Sequence, residues 1–459
     1  MPVTEQRLER TLTLWPIVLF GIAYITPFIV LTTFGVFSAA SNGTLPMSYV
    51  FGGIAMIFTA LSYGKMSREF PMAGSAYTYA RRTIDSRVGF LVGWAILLDY
   101  FWLPMVVWLI GAAYLTAQFP SVPAWVFLTG FIVLTTGLNL LGIKLTTRLN
   151  LGLIAFQMAV LVAFLILAAK YLFGVKTGVN LGAPFYNHQT TFAAVSGGAA
   201  LPAYCFIGFD AVSTFAEEAV NPRKTIPRAI VLTASLAAVI FVIVAFVMQL
   251  VHPGGVFTDA ATAPQDMATQ IGGNIFGSLF LGTVILAQFT AGVPIQAAGA
   301  RLMFAMGRDN VLPKKIFAYV LPRFRTPAFN LLLTGLVGFV AVFSTVANAT
   351  SFINFGAFTA FTFVNISVIA LYIRERRTVT RNPLSWVVAP LIGIGVCVWL
   401  MTNLDWKALT MGGIWLVIGI GYLAYLTRGF TVAPPEMDFT EQEEIAPAEQ
   451  AVPAAGATA

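Results

Sequence analysis

The sequence is short of charge: Asp, Glu, Lys and Arg together make up only 10% of its 459 residues. Soluble domains carry roughly 25%, so a chain this poor in charge cannot coat a water-soluble globule. Cysteine is nearly absent as well. Cys205 and Cys397 lie far apart in apolar stretches, which excludes a disulfide framework. Histidine is limited to His188 and His252, both beside loop signals, and there is no HExxH or CxxC pattern. That leaves nothing from which to build a His- or Cys-based metal or haem site. No nucleophile–base constellation is visible either, which argues against a membrane-embedded enzyme. Lys and Arg are missing from the deep part of every long apolar run.

What the chain has is hydrocarbon. Apolar residues make up 58% of it, and the mean hydropathy is +0.83. Windows of about 20 apolar residues match a ~30 Å bilayer core. Such windows fall at roughly 14–39, 46–66, 88–115, 122–143, 150–173, 190–218, 228–251, 274–303, 328–347, 350–373, 383–402 and 408–427. The expected fold is therefore an all-α polytopic membrane protein with twelve transmembrane helices. Its connectors carry Pro, Gly, Asn or charge clusters, as in Asn221-Pro-Arg-Lys and Pro253-Gly-Gly.

The basic residues orient it. If the N-terminus is cytoplasmic, 23 of the 26 Lys and Arg residues fall on inner segments, leaving only Lys170, Lys176 and Lys407 outside. This positive-inside split requires an even number of spans and both termini inside. It also accounts for the basic balance without nucleic acid as a partner. Residues 1–13 are then a cytoplasmic N-terminus and 14–427 the transmembrane domain. Residues 428–459 read as a disordered acidic tail, because beyond Arg428 there are six acids, no Lys or Arg, and little apolar mass.

Two spans break the rules of a membrane helix. The first carries Pro27 in mid-membrane within Tyr24-Ile-Thr-Pro, and the sixth carries Pro202, Gly208 and Asp210. Unsatisfied backbone in hydrocarbon costs several kcal/mol per group. Paired breaks in two halves therefore point to a transporter site at a repeat interface, although a proline kink is the plain alternative for either span alone. Spans one and six are five apart, and an odd number of spans per repeat inverts the second copy.

Four acids fall within spans: Asp99, Asp210, Glu217 and Glu218. A carboxylate at the bilayer centre costs ~2.5–3.5 kcal/mol on insertion scales, so such residues face a bundle interior or a cavity. Asp210, at the second break, is the leading substrate anchor, with helix capping as the alternative. Asp99 is a second candidate for substrate binding or proton coupling. Glu217 and Glu218, near the inner surface, are candidates for a gate or proton role, or for plain pairing with Arg223 or Lys224. The embedded charge is wholly negative, so a cation or a proton would neutralise it. An ammonium over a ring gains ~0.5–2 kcal/mol, which brings Tyr24, Tyr100 and Phe209 into the candidate pocket.

Several stretches carry a resemblance. These include Gly21-Ile-Ala-Tyr-Ile-Thr-Pro, Pro71-Met-Ala-Gly-Ser-Ala-Tyr-Thr-Tyr-Ala, Val92-Gly-Trp-Ala-Ile-Leu-Leu-Asp-Tyr, and Gly208-Phe-Asp-Ala-Val-Ser-Thr-Phe-Ala-Glu-Glu. With Met306-Gly-Arg-Asp-Asn-Val-Leu-Pro and Ile353-Asn-Phe-Gly-Ala-Phe-Thr-Ala, they make the chain resemble the amino acid–polyamine–organocation superfamily, and within it the bacterial putrescine importers. The resemblance runs from about Arg7 to Arg428. It implies a LeuT-like five-plus-five inverted repeat with broken helices one and six, two extra helices, and alternating access driven by an ion gradient. It also implies that Tyr100 lines the amine site and that Asp210 meets a substrate amine. Thr26, Pro27 and Gly208 complete the pocket at the breaks.

Three positions depart from the family pattern. Thr32 stands where the polyamine branch has an Asp. Thr26-Pro27-Phe28 replaces a Gly-x-Gly whose free N–H groups hold a carboxylate in amino-acid members. Gln157 replaces a span-five Lys of cationic amino-acid members. The sequence therefore predicts a secondary, proton-coupled importer of a small amine such as putrescine, with an amino-acid permease of the same fold (symporter or exchanger) as the alternative. A channel would want a ring of charge or carbonyls around an open pore, which this pattern lacks. The expected setting is the bacterial inner membrane, as a monomer or homodimer, with no cofactor beyond an ion gradient.

Overall fold

The computed structural model describes residues 12–71, 75–142, 147–174, 180–188, 190–216, 218–324 and 326–435. Among these residues the fold is helical throughout, with two isolated β-bridges and no strand. The first window holds α1 (Leu14–Ile25) and α2 (Ile29–Ala40), bent by 49° at the intervening residues. Pro27 has no N–H and disfavours helix in the residue before it. Thr26 leaves the helix in a left-handed conformation, φ 51°. There follow α3 (Leu45–Glu69), α4 (Ser75–Thr83), α5 (Ser86–Gln118), α6 (Ala124–Leu140) and α7 (Thr147–Gly174).

The sixth window is the least regular. Helix α8 (Phe192–Ala200) gives way at Pro202 to a tight 3₁₀ turn, Pro202–Phe206. The chain extends at Ile207, turns at Gly208 with φ +120°, and resumes as a second 3₁₀ segment, Asp210–Ala216. Then come α9 (Pro222–Val251), α10 (Ala263–Arg308), α11 (Lys314–Phe317), α12 (Ala328–Gly338), α13 (Val346–Glu375), α14 (Ala389–Thr402) and α15 (Trp406–Leu426). Gly273, φ 72°, divides α10, so its membrane portion begins where the eighth window does.

Among the described residues, nine helical stretches are long and apolar enough to span a bilayer, and the bent α1–α2 pair makes a tenth. The fourth and ninth windows carry shorter apolar helices, Ala124–Leu140 and Ala328–Phe343. Each falls short of its window at the C-terminal end: the first, opened by Pro123, stops at Leu140, and the second, opened by Pro327, closes in a 3₁₀ turn, Phe339–Phe343. The chain is thus a multi-pass membrane protein. Helix α4 was not among the expected elements. It buries Ala76, Tyr77, Thr78, Tyr79 and Ala80 against α5 and α13.

Packing sets spans five apart against each other: α3 lies along α9, α5 along α10, and α6 against α12. The two halves of the first span differ in surroundings. From Val30 to Ser38, α2 is buried apart from a partly covered Val36, whereas α1 exposes Trp15, Leu19, Phe20 and Tyr24.

Candidate functional site

The two breaks meet. A Cβ on Gly208 would lie 2.5 Å from Cδ1 of Tyr24, so only glycine lets the span-six backbone reach the ring beside the span-one break. Below the contact the partners stay together. Phe20 stacks on Phe215 at 5.6 Å, and Gly21 packs against Val212 and Thr233. At the ends, the Leu12 N–H donates to Glu218 O (3.0 Å) and the Val220 N–H to Leu12 O (2.8 Å). Glu218 thus sits in a backbone bridge that ties the start of α1 to the end of span six. Glu217 lies outside the described residues.

Asp210 sits at the centre. Its Oδ1 accepts the Gly208 N–H at 3.2 Å, and the Ser213 hydroxyl donates to its carbonyl at 2.6 Å. Tyr24 of α1, Tyr63 of α3, Tyr79 of α4, and Asp99 and Tyr100 of α5 all lie within reach of its charge. Close helix packing brings the α5 pair there. Gly356 of α13 lets the Ala95 carbonyl and the Asp99 amide approach, and Gly299 of α10 does the same for the Tyr100 carbonyl. Asp99 Oδ1 is buried without a hydrogen-bond partner among the described residues. No Lys or Arg pairs with Asp99 or Asp210 among those residues. Two carboxylates without a resident counter-cation form a place for a cation or a proton.

Most of the amide groups at the breaks are occupied within the chain, the Phe28 N–H excepted. Ile29, Val30 and Leu31 N–H donate to Thr26, Pro27 and Phe28 carbonyls at 2.9, 3.2 and 3.1 Å. At the second break, Ile207, Phe209 and Ala211 N–H donate to Tyr204, Phe206 and Gly208 carbonyls. A helix start normally offers its first N–H groups to an anion. Here the 3₁₀ turns take most of them.

Beside the breaks lies a cavity of about 290 Å³, walled by α1 and the first break, residues on both sides of the span-six break, α5, α7 and α10. Of the sequence-predicted residues, Tyr24, Thr26 and Gly208 line it. Its wall also reaches Ala211 but not the Asp210 carboxylate, and it does not include Asp99, Tyr100, Phe209, Pro27 or Thr32. Phe209 is turned into an aromatic cluster, 5.6 Å from Tyr63 and 5.3 Å from Phe361. Thr32 is 2% exposed, and its carbonyl accepts the Tyr114 hydroxyl at 3.1 Å. Gln157 lines the cavity, with Nε2 3.4 Å from Thr290 Oγ1. Sequence reasoning missed Tyr63, Tyr79 and Ser213 around Asp210, and Gln288 and Thr290 on the cavity wall. In the sequence, Tyr79 is visible within Ala76-Tyr-Thr-Tyr-Ala, but no spacing ties that run to Asp210.

Comparison with known proteins covers nearly the whole chain. Residues 17–427 match the amino acid permease family model. The low-affinity putrescine importer PlaP of Escherichia coli (strain K12) is 38% identical over 441 residues, covering 94% of this chain and 96% of the importer. The methylthioribose transporter of Bacillus subtilis is 29% identical, with 90% and 93% covered. The branched-chain amino acid permease BcaP of the same species is also 29% identical, with 91% and 92% covered.

Proposed function

The chain belongs to the amino acid permease family and is a transporter, not an enzyme; from that premise we propose that it imports a small amine, putrescine or a near analogue, in symport with protons across the bacterial inner membrane. The observation that carries this reading is the acid pair Asp99–Asp210, set beside two touching helix breaks and without a basic partner among the described residues. An ammonium satisfies such a site directly. A carboxylate-bearing substrate would need free N–H donors at the breaks, and most of these are engaged within the chain. The 38% identity to a putrescine importer points the same way, above the 29% shared with the methylthioribose and branched-chain amino-acid carriers.

The proposed frame is twelve spans in a five-plus-five inverted repeat with two added helices and both termini cytoplasmic. The pairing of α3 with α9, α5 with α10 and α6 with α12 supports it, as does the meeting of the breaks of spans one and six. Proton coupling falls to an embedded carboxylate, because Gln157 cannot carry a proton where a lysine would.

An amino-acid permease remains the second reading, favoured by the branched-chain relative. Proteoliposomes separate the two. Labelled putrescine is expected to accumulate when the outside is made more acidic, and to leak out with a protonophore. Accumulation of a neutral amino acid with no response to putrescine, or uptake that follows sodium alone, would overturn the proposal.

A further inference from the structure

The face that carries α4, the start of α5 and the end of α13 has cations left over. The Arg374 Nη1 donates to Arg82 O at 2.9 Å, which joins α13 to α4. The acids of this face are already engaged. Glu69 and Glu375 both hold Arg381, at 3.2 and 2.7 Å, and Asp85 accepts the backbone N–H of Arg87 at 2.8 Å. The exposed Arg82, Arg374, Arg376 and Arg377 have no carboxylate partner among the described residues.

The missing charge lies further along the same chain. Glu436, Asp438, Glu441, Glu443, Glu444 and Glu449 follow Arg428 with no Lys or Arg among them. The chain leaves the body on this face. The Arg87 Nη2 donates to Phe430 O at 2.5 Å, its guanidinium stands 6.0 Å from the Phe430 ring, and Pro434 is buried. Twenty-four residues, Glu436 to Ala459, follow the point where the chain leaves this face, a length that at up to ~3.3 Å per residue is ample to reach side chains on the same face.

We propose that residues 436–459 dock on the arginine patch Arg82, Arg374, Arg376 and Arg377, closing an acidic clasp over the α4–α13 junction. Single exposed ion pairs are weak, so the clasp relies on number and on the tether at Phe430. A tethered segment meets its site at an effective concentration in the millimolar range. Anionic lipid headgroups compete for the same arginines but lack that tether. Screening within ~8 Å at physiological salt makes the clasp ionic-strength dependent. The inference is independent of which substrate is carried.

Carbodiimide cross-linking of the full chain tests it. Arg376→Lys and Arg377→Lys keep the charge and supply amines that condense with tail carboxylates to form amides, with loss of water. In nanodiscs of neutral lipid, cross-linked peptides joining these positions to residues 436–449 are expected at low ionic strength and to fall several-fold at half-molar salt. Arg82→Gln with Arg374→Gln in the same background should reduce the yield by a similar factor. Cross-links that are absent at low salt, or insensitive to salt and to the Gln substitutions, would overturn the clasp. So would cross-links that vanish when anionic lipid replaces neutral lipid at the same salt, because the patch would then belong to headgroups.

Discussion

The contact between Gly208 and Tyr24 gives a sharp prediction about how the two breaks support each other. Alanine at position 208 meets two separate costs. The backbone there has φ +120°, a region that non-glycine residues enter at about 1–3 kcal/mol. Its Cβ would also lie 2.5 Å from Tyr24 Cδ1 and 3.0 Å from Cε1, against a comfortable carbon separation of about 3.5–4.0 Å. Displacing the ring by about an ångström is an overpacking cost of about 1–3 kcal/mol. Gly208→Ala should therefore lose about 2–6 kcal/mol in total. Tyr24→Ala in the same chain removes the second cost and leaves the first, so a double-mutant cycle should return a coupling of about 1–3 kcal/mol. Denaturant titration in detergent micelles measures the stabilities, and uptake in proteoliposomes shows whether the site still works. A Gly208→Ala protein as stable as its parent, or a coupling indistinguishable from zero, would refute the meeting of the breaks.

Other outcomes follow from the same geometry. Asp210→Asn keeps an oxygen that can accept the Gly208 N–H but removes the charge. Folding should survive while substrate binding weakens by about 10–100-fold, the equivalent of a charged hydrogen bond worth ~1.5–3 kcal/mol. Isothermal titration with putrescine reads this, and unchanged affinity would remove Asp210 from the site. For topology, cysteines placed at Asp259 and Lys314, both exposed, should react with an impermeant maleimide from outside and only after permeabilisation, respectively. The reverse pattern would turn the protein over.

Much of the architecture was legible because membranes punish exceptions. Pro27 in an apolar run has few explanations, and a break at the residue before it follows from the clash of the proline ring with helical backbone there. Gly208 and Pro202 announced the second break in the same way. Helix α4 stayed hidden because nine residues are too few for a hydropathy window, and its buried tyrosines look like ordinary polar punctuation until α5 and α13 cover them. Phe209 shows a different limit. It adjoins Asp210 in sequence, yet the turn at Gly208 sends the two side chains apart, Phe209 into the Tyr63–Phe361 cluster. Adjacency along a broken helix does not fix a shared direction. Gln288 and Thr290 were invisible for the opposite reason: they lie on a long apolar helix, and only the placement of Gly273 fixes which of its turns lies at the cavity.

The departures from the family pattern join into one physical argument. Where amino-acid carriers would present free amides, the Thr26 N–H is bonded to Ile22 O and Pro27 has none to offer, so the first break presents less positive potential to a carboxylate. Where cationic amino-acid members would place a lysine, Gln157 is neutral and leans on Thr290 at 3.4 Å. Both changes make the region less attractive to anions. Asp99 and Asp210 remain, and Asp99 Oδ1 has no hydrogen-bond partner among the described residues. A buried acceptor left in that condition costs about 1–3 kcal/mol, and more when charged, so the empty site gains by taking up a proton or an ammonium. Under the proposed symport the two acids divide the load: one carboxyl carries the proton while the other meets the ammonium, and both cations cross together.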